Sequence, residues 1–197
     1  MNGQVKGFVE KIAWCAIILF ILRCIISGKT IITNFSIYDL FGFAGEAISG
    51  TAIIATLYEK WAWRYIPIEN TPKLFKEYEG VFVSDYDNAE RSARLEIKQT
   101  LLTVQVTLIT GESRSKSISS SIDTILNEKQ LTYCYLNTPQ AMVRHRSEIH
   151  YGTAMLCVEN PNEIHGQYFT DRKTTGDMKF TKREQNMPTN TKASIGI

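Results

Sequence analysis

The side chains able to do chemistry in this 197-residue chain lie mostly beyond Pro72, and they are tyrosines and arginines rather than groups that break bonds. Tyr78, Tyr86, Tyr133, Tyr135, Tyr151 and Tyr168 are spread over short alternating segments, while Arg91, Arg144, Arg146 and Arg172 fall near turns. A guanidinium can fork two hydrogen bonds onto a phosphate while an aromatic face stacks a base. Together they suit a small, anionic, aromatic ligand. The plainer account makes the tyrosines ordinary strand residues and the arginines solvated loop charges. Tyr133 and Tyr135 are two apart, so in a strand both point inward or both outward.

Signatures of catalysis are missing. The chain has no Gly-x-Ser-x-Gly, Walker glycine loop, dinucleotide fingerprint or HExxH. His145, His150 and His165 are not at metal-ligand spacing and read as hydrogen-bonded strand or loop residues. Glu77 and Glu79 share one face of a strand, where an acidic pair is usually just solvated. The sequence points to a binding protein, with no catalytic residue, no metal and no cofactor.

The segments that carry these residues alternate or run β-branched and apolar, with turn residues between them. Strands are predicted over Glu77–Tyr86, Arg94–Thr100, Leu102–Thr110, Ser113–Leu126, Gln130–Thr138, His150–Val158, Glu163–Thr170 and Asp177–Lys182. The fourth is serine-rich, yet Ile118, Ile122, Ile125 and Leu126 mark it as a strand. All but one of the connections are short, as antiparallel neighbours require. Such strands close most economically into an eight-stranded up-and-down barrel, because closure removes exposed edges and leaves room for side chains or one small ligand. An open sandwich is the rival.

Ahead of the strands lie two apolar runs, Phe8–Ile26 and Ile37–Tyr58, joined by a turn near Thr30 to Thr33. Neither shows the polar stripe of a helix buried in a soluble domain, and the second alone has a length that crosses a bilayer. The first is uninterrupted only from Ile12 to Leu22. The expected organisation is a two-helix membrane region over 1–65, a linker over 66–74 with two prolines, a barrel over 75–183 and a frayed polar tail over 184–197. Lys6 and Lys11 precede the hairpin and Lys60, Arg64, Lys73 and Lys76 follow it, which places both termini and the barrel in the cytoplasm. Tyr58, Trp61, Trp63 and Tyr65 read as interfacial anchors, the alternative being core aromatics.

Within the hairpin, Arg23 and Asp39 fall at similar depth and can pair, whereas Glu46 faces apolar residues and is expected to lack a partner in its own chain. Gly42, Gly45, Ser49 and Gly50 surround it with a smooth face. Gly42, Gly45, Glu46 and Ser49 are therefore candidates for helix contacts between subunits, the alternative being packing of the two helices within one chain.

Charge and cysteine usage set limits. Of 22 basic and 20 acidic residues, six and four precede Ile68, which leaves sixteen of each and a net charge of zero for the remainder. That excludes a general binder of DNA or RNA. Cys15, Cys24, Cys134 and Cys157 have no CxxC spacing, which argues against zinc and a disulfide framework and fits a reducing compartment.

The succession of motifs resembles one family. Two membrane helices and a boundary proline lead to Tyr78-Glu79-Gly80, Leu95-x-Ile97-x-Gln99-Thr100 and the serine-rich strand. Leu131-x-Tyr133-x-Tyr135-x-Asn137, His150-Tyr151-Gly152-Thr153-Ala154-x-Leu156 and Gly166-x-Tyr168-Phe169-Thr170-Asp171-Arg172-x-Thr174-x-Gly176 follow. The chain is similar to the two-transmembrane β-barrel effectors of bacterial CBASS anti-phage operons, the CD-NTase-associated proteins of type fifteen. The resemblance implies a barrel that receives a cyclic dinucleotide made by a partner CD-NTase, then homo-oligomerisation in the inner membrane, disruption of the bilayer and death of the infected cell. By position it points to Tyr78 and the Tyr168–Gly176 hairpin as the ligand end. Arg172 is then expected on a phosphate, Thr170 and Thr174 at polar contacts, and Tyr78 or Tyr135 stacked on a base. Arg144 and Arg146 match no family motif and join the ligand set through charge alone. The competing readings are a membrane-tethered lipocalin-like barrel that carries a lipid and a structural subunit of an envelope complex.

Overall fold

The computed structural model describes residues 3–28, 35–67 and 69–184. The turn expected at Thr30 to Thr33 and the tail beyond Glu184 lie outside them. Two helices, α1 (Gly3–Ser27) and α2 (Ile37–Lys60), precede a 3-10 turn at Ala62–Tyr65. Eight strands follow: β1 (Glu77–Ser84), β2 (Glu90–Gln99), β3 (Val104–Thr110), β4 (Ser113–Ile125), β5 (Glu128–Pro139), β6 (His150–Cys157), β7 (Glu163–Thr170) and β8 (Thr175–Lys182). They form a closed antiparallel barrel in sequence order, β8 returning to β1 through pairs such as Phe82 with Met178. The open sandwich is thereby set aside.

Helix α2 begins with a capping box, in which the Asp39 N–H donates to Ser36 Oγ at 3.1 Å and the Ser36 N–H to Asp39 Oδ2 at 3.1 Å. It is long and apolar enough to cross a membrane, whereas Lys6, Glu10, Lys11 and Arg23 interrupt α1. Both helices leave large apolar side chains uncovered: Trp14, Ile18, Ile25 and Ile26 on α1, and Phe41, Ile48 and Ile53 on α2. Phe43, Ala47 and Thr51 are the buried residues of α2. Close approach of the helices is seen at Gly50, where an added Cβ would sit 3.4 Å from Leu19 Cδ1.

Glu46 does have a partner. The Arg23 Nε–H donates to its carboxylate, and the guanidinium lies 4.6 Å from the centre of the Phe43 ring. A long arginine side chain reaches along the helix, so matching depths counted from the turn misjudged its partner by two turns of α2. Gly42, Gly45 and Ser49 are exposed, and a Cβ on either glycine would meet nothing within 4 Å. The aromatic cluster also divides. Trp61 and Tyr65 are exposed, but Trp63 is fully buried, with the Arg64 guanidinium 5.0 Å from its ring.

The barrel is filled by its own side chains. Alternation sends Tyr78, Leu95, Ile97, Val106, Leu131, Tyr133, Leu156, Ile164 and Phe180 inward, each buried, and each aliphatic or aromatic body so covered contributes roughly 1.5–3 kcal/mol. The rim nearest the helices is tied down. Leu101 N–H donates to Glu59 O at 3.0 Å, and Arg64 reaches Leu74 O at 3.3 Å and Gln99 O at 3.4 Å. Lys11 Nζ donates to Glu69 at 2.7 Å and to Tyr58 Oη at 3.1 Å, and the Tyr58 hydroxyl donates to Glu69 at 2.6 Å. Both helices are thus pinned to the linker through one carboxylate. Burial pushes Glu69 up, but the hydrogen bonds from Lys11 and Tyr58 outweigh it and hold the group below the usual carboxylate range.

Candidate functional site

Antiparallel strands put the β1–β2, β3–β4, β5–β6 and β7–β8 connections at the rim away from the helices. Inward-facing positions there change from aliphatic to polar. The register sets Ser115 beside Asn137 and Asn137 beside His150, with Tyr135, Gly152 and Thr170 in the next row and Ser84, Gly176 and Tyr168 in a third. Asn137 Nδ2 donates to Ser115 Oγ at 2.8 Å and to Ser113 Oγ at 3.1 Å, while its Oδ1 is buried without a partner among the described residues. An acceptor left in that state costs free energy until something donates to it.

Two tyrosines floor this rim, and glycines seat them. A Cβ at position 152 would come within 2.4 Å of Tyr135 Cζ and Oη, and one at 176 within 2.6 Å of Tyr168 Cε1. Only glycine leaves space for the rings to lie there. Phe82 packs edge-on to Tyr168 with centroids 6.1 Å apart, and Tyr133 lies below Tyr135 at 5.8 Å. Burial raises the Tyr135 hydroxyl above its ordinary value, Tyr168 and Asp171 adding to the effect and Arg172 opposing it. Burial raises Tyr168 too, against the Ser84 side chain. Both hydroxyls therefore stay protonated at neutral pH and can donate. Burial lowers His150, the hydrogen bond to Glu148 O opposing and nearby Arg172 reinforcing, so its ring is neutral there.

The arginines at this rim differ in freedom. Arg91 is held by Asp87, which accepts from its Nη1 at 3.0 Å, and Arg146 by Glu112 at 2.5 Å. Arg144 Nε donates to Pro139 O at 3.4 Å. Arg172 makes no hydrogen bond or ion pair among the described residues, and its charge is felt by both Tyr135 and His150. Thr170 and Thr174 close the β7–β8 turn, hydroxyl to hydroxyl at 2.7 Å, and Asp171 accepts the Tyr151 N–H at 3.1 Å. The hairpin that presents Arg172 is thereby fixed.

Of the residues singled out from sequence, Tyr135, Arg144, Arg146, Thr170, Arg172 and Thr174 come to this one rim. Tyr78 lies at the other. It is fully buried, and its hydroxyl accepts from Phe75 N–H at 3.0 Å and donates to Pro161 O at 2.8 Å. Sequence reasoning did not assign Asn137, Ser113, Ser115 or His150. A signal for Asn137 was present, since it continues the two-residue spacing of Tyr133 and Tyr135; the others depend on neighbours that only barrel closure supplies. Among the described residues no cluster of three or more His, Cys, Asp or Glu could hold a metal ion.

Residues 69–182 match the family described as Cap15, cyclic dinucleotide receptor domain. The chain is 28% identical over 186 residues to CD-NTase-associated protein 15 of Staphylococcus schleiferi, covering 92% of this chain and 99% of that one. Among solved structures it is similar to a redesigned β-barrel, with a TM-score of 0.42 and 9% identity over 56% of this chain and 92% of the other.

Proposed function

Because the chain belongs to the Cap15 family of cyclic dinucleotide receptors, we propose that it is a CBASS effector whose barrel binds the messenger across the rim remote from the helices. The observation that carries this reading is the pairing of an unengaged arginine, Arg172, with the orphaned Asn137 Oδ1 above two seated tyrosines. A cyclic dinucleotide has two phosphates and two bases. Arg172 takes a phosphate, with Arg144 and Arg146 adding positive charge, and Thr170 and Thr174 offer hydroxyls. Tyr135 and Tyr168 supply aromatic surface, and Asn137 Oδ1 accepts from a base amino group. Tyr78 has no part in this arrangement, being sealed into the opposite rim. The packed interior favours a ligand laid over the mouth, and it disfavours a lipid carrier, which needs an apolar hollow.

The helices supply the response. In our reading α1 crosses the bacterial inner membrane beside α2, because its uncovered apolar side chains need lipid, and both chain termini and the barrel remain cytoplasmic. Messenger made by a partner CD-NTase favours an assembled state for which it has the higher affinity. Gly42, Gly45 and Ser49 form the open face on which α2 helices of neighbouring copies meet, with Glu46 at its edge neutralised by Arg23. Assembly then disrupts the bilayer and kills the infected cell. The test uses the full-length chain reconstituted in vesicles loaded with a self-quenched dye. Cyclic dinucleotide is expected to release dye, and Arg172→Ala to weaken binding about 10- to 100-fold while the protein melts as before. Equal affinity of that variant would remove Arg172 from the site, and a lack of response to any cyclic dinucleotide would overturn the reading.

A further inference from the structure

The β4–β5 hairpin is built against ordinary turn chemistry. Its two turn residues, Leu126 and Asn127, have φ of 51° and 67°, the left-handed pair of a two-residue hairpin turn, where Asn-Gly is strongly preferred. A leucine in that conformation crowds its Cβ against the following carbonyl, and a branched apolar side chain gains nothing there from water. Yet Leu126 is 93% exposed, the most exposed of the large hydrophobic residues among those described, and Ile125 beside it is 45% exposed.

The position of this turn supplies a reason. Backbone pairing between β3 and β4 is confined, among the described residues, to three pairs ending at Thr107 with Lys116. Beyond it, side chains replace the ladder: Val106 N–H donates to Ser117 Oγ at 2.9 Å, and the Ser120 hydroxyl donates to Val104 O. From Ser121 onward β5 is the one strand that β4 pairs with. The hairpin therefore overhangs the rim to which the helices are tied. A cavity of about 540 Å³ separates it from the first turns of α1, lined by Gly7, Phe8 and Lys11 on one side and by Asp123, Thr124 and Lys129 on the other.

We infer that the Ile125–Leu126 turn is a third membrane contact, inserted into the cytoplasmic face of the bilayer beside the helical hairpin, with Lys129 at the level of the lipid phosphates. A short apolar tip flanked by the exposed Glu128, which pairs with Ile125, and by Lys129 keeps its charges on the water side of the boundary between headgroups and acyl chains. The contact holds the barrel against the membrane surface and turns its ligand rim toward the cytosol. This inference rests on the reading that α1 and α2 lie in the bilayer, and the experiment separates the two.

In the full-length chain with its four cysteines replaced by serine, single cysteines are introduced as Leu126→Cys, Ile53→Cys on the exposed side of α2 and Lys173→Cys at the ligand rim. Each is labelled with an environment-sensitive fluorophore in phosphatidylethanolamine–phosphatidylglycerol vesicles that carry nitroxide-labelled lipid. The expected result is quenching and a blue shift at Ile53→Cys and Leu126→Cys, and neither at Lys173→Cys. A Leu126→Cys label as wet as Lys173→Cys, with Ile53→Cys quenched, overturns the inference alone. An unquenched Ile53→Cys label overturns the membrane reading with it. A second measurement leaves out the label: Leu126→Gly should melt a few degrees higher in detergent, because the backbone strain is relieved, while its barrel loses surface protection from proteolysis in vesicles. A lower melting temperature would mean that the leucine packs within the fold, against the inference.

Discussion

The two rims of the barrel are made by the same eight strands and have opposite chemistry. At the helix-side rim most of the polar groups are engaged: Tyr78 bonds to Phe75 and Pro161, Gln99 accepts from Leu74 N–H at 3.0 Å and donates to Pro72 O at 2.7 Å, and Glu69 joins both helices, while the buried Trp63 indole N–H has no partner among the described residues. At the distal rim an asparagine oxygen has no partner and an arginine stands unengaged among the described residues. A satisfied network stabilises; an unsatisfied one carries a cost that a donor from outside the barrel could relieve. Tyrosine therefore has two meanings in one barrel, a bolt at position 78 and a floor at 135 and 168.

Mutating each rim should separate stability from binding. The largest effect is expected from Tyr78→Ala, which empties a fully buried ring site and leaves Phe75 N–H and Pro161 O without their partner. It should cost roughly 3–5 kcal/mol by denaturant melting, with messenger affinity of the folded fraction unchanged. A loss of affinity without loss of stability would erase the distinction between the rims. A smaller effect is expected from Asn137→Ala, because two bonds to serine hydroxyls go but an orphaned acceptor goes with them. Stability should move by no more than about 1 kcal/mol while affinity falls about tenfold in calorimetric titration. Unaltered affinity would show that the ligand leaves Oδ1 alone.

The smallest effect is in pH dependence. His150 is held below its ordinary value, so the unfolded chain binds a proton that the folded chain resists, and stability falls as pH drops through about 6.5. Glu69 is also lowered, but for a carboxylate this adds stability above its unfolded value, lost only as pH falls through the lower folded one. Acid should weaken the distal rim well before the linker. Thermal melting across pH checks this, with His150→Gln expected to flatten the slope near neutrality and leave the more acidic one.

Much of the architecture was legible in the chain. Short alternating segments at regular intervals specify strands, and Asp171 to Gly176 between two of them specifies a hairpin. The strand ends moved by a few residues where flanking side chains are polar but backbone pairing continues, as at the start of β2. The distal rim was legible only in part. Arg172 and Thr170 share a rim as expected because they sit at one turn, and turns are local; Tyr78 lies at the other rim, which its spacing could not tell, because a tyrosine near a strand start looks the same at either rim.

Glu46 shows the same limit in the helices. Its depth followed from counting, but its partner followed from how far the Arg23 side chain reaches across the interface. The sequence by itself determined that this protein has two apolar helices and eight strands, and that its barrel carries no net charge. Those properties come from periodicity and composition, which act between residues near in the chain. Only the tertiary structure decided which rim is sealed and which is open, because an orphaned Asn137 oxygen or a Tyr135 ring seated on Gly152 exists only when strands far apart in sequence are brought side by side.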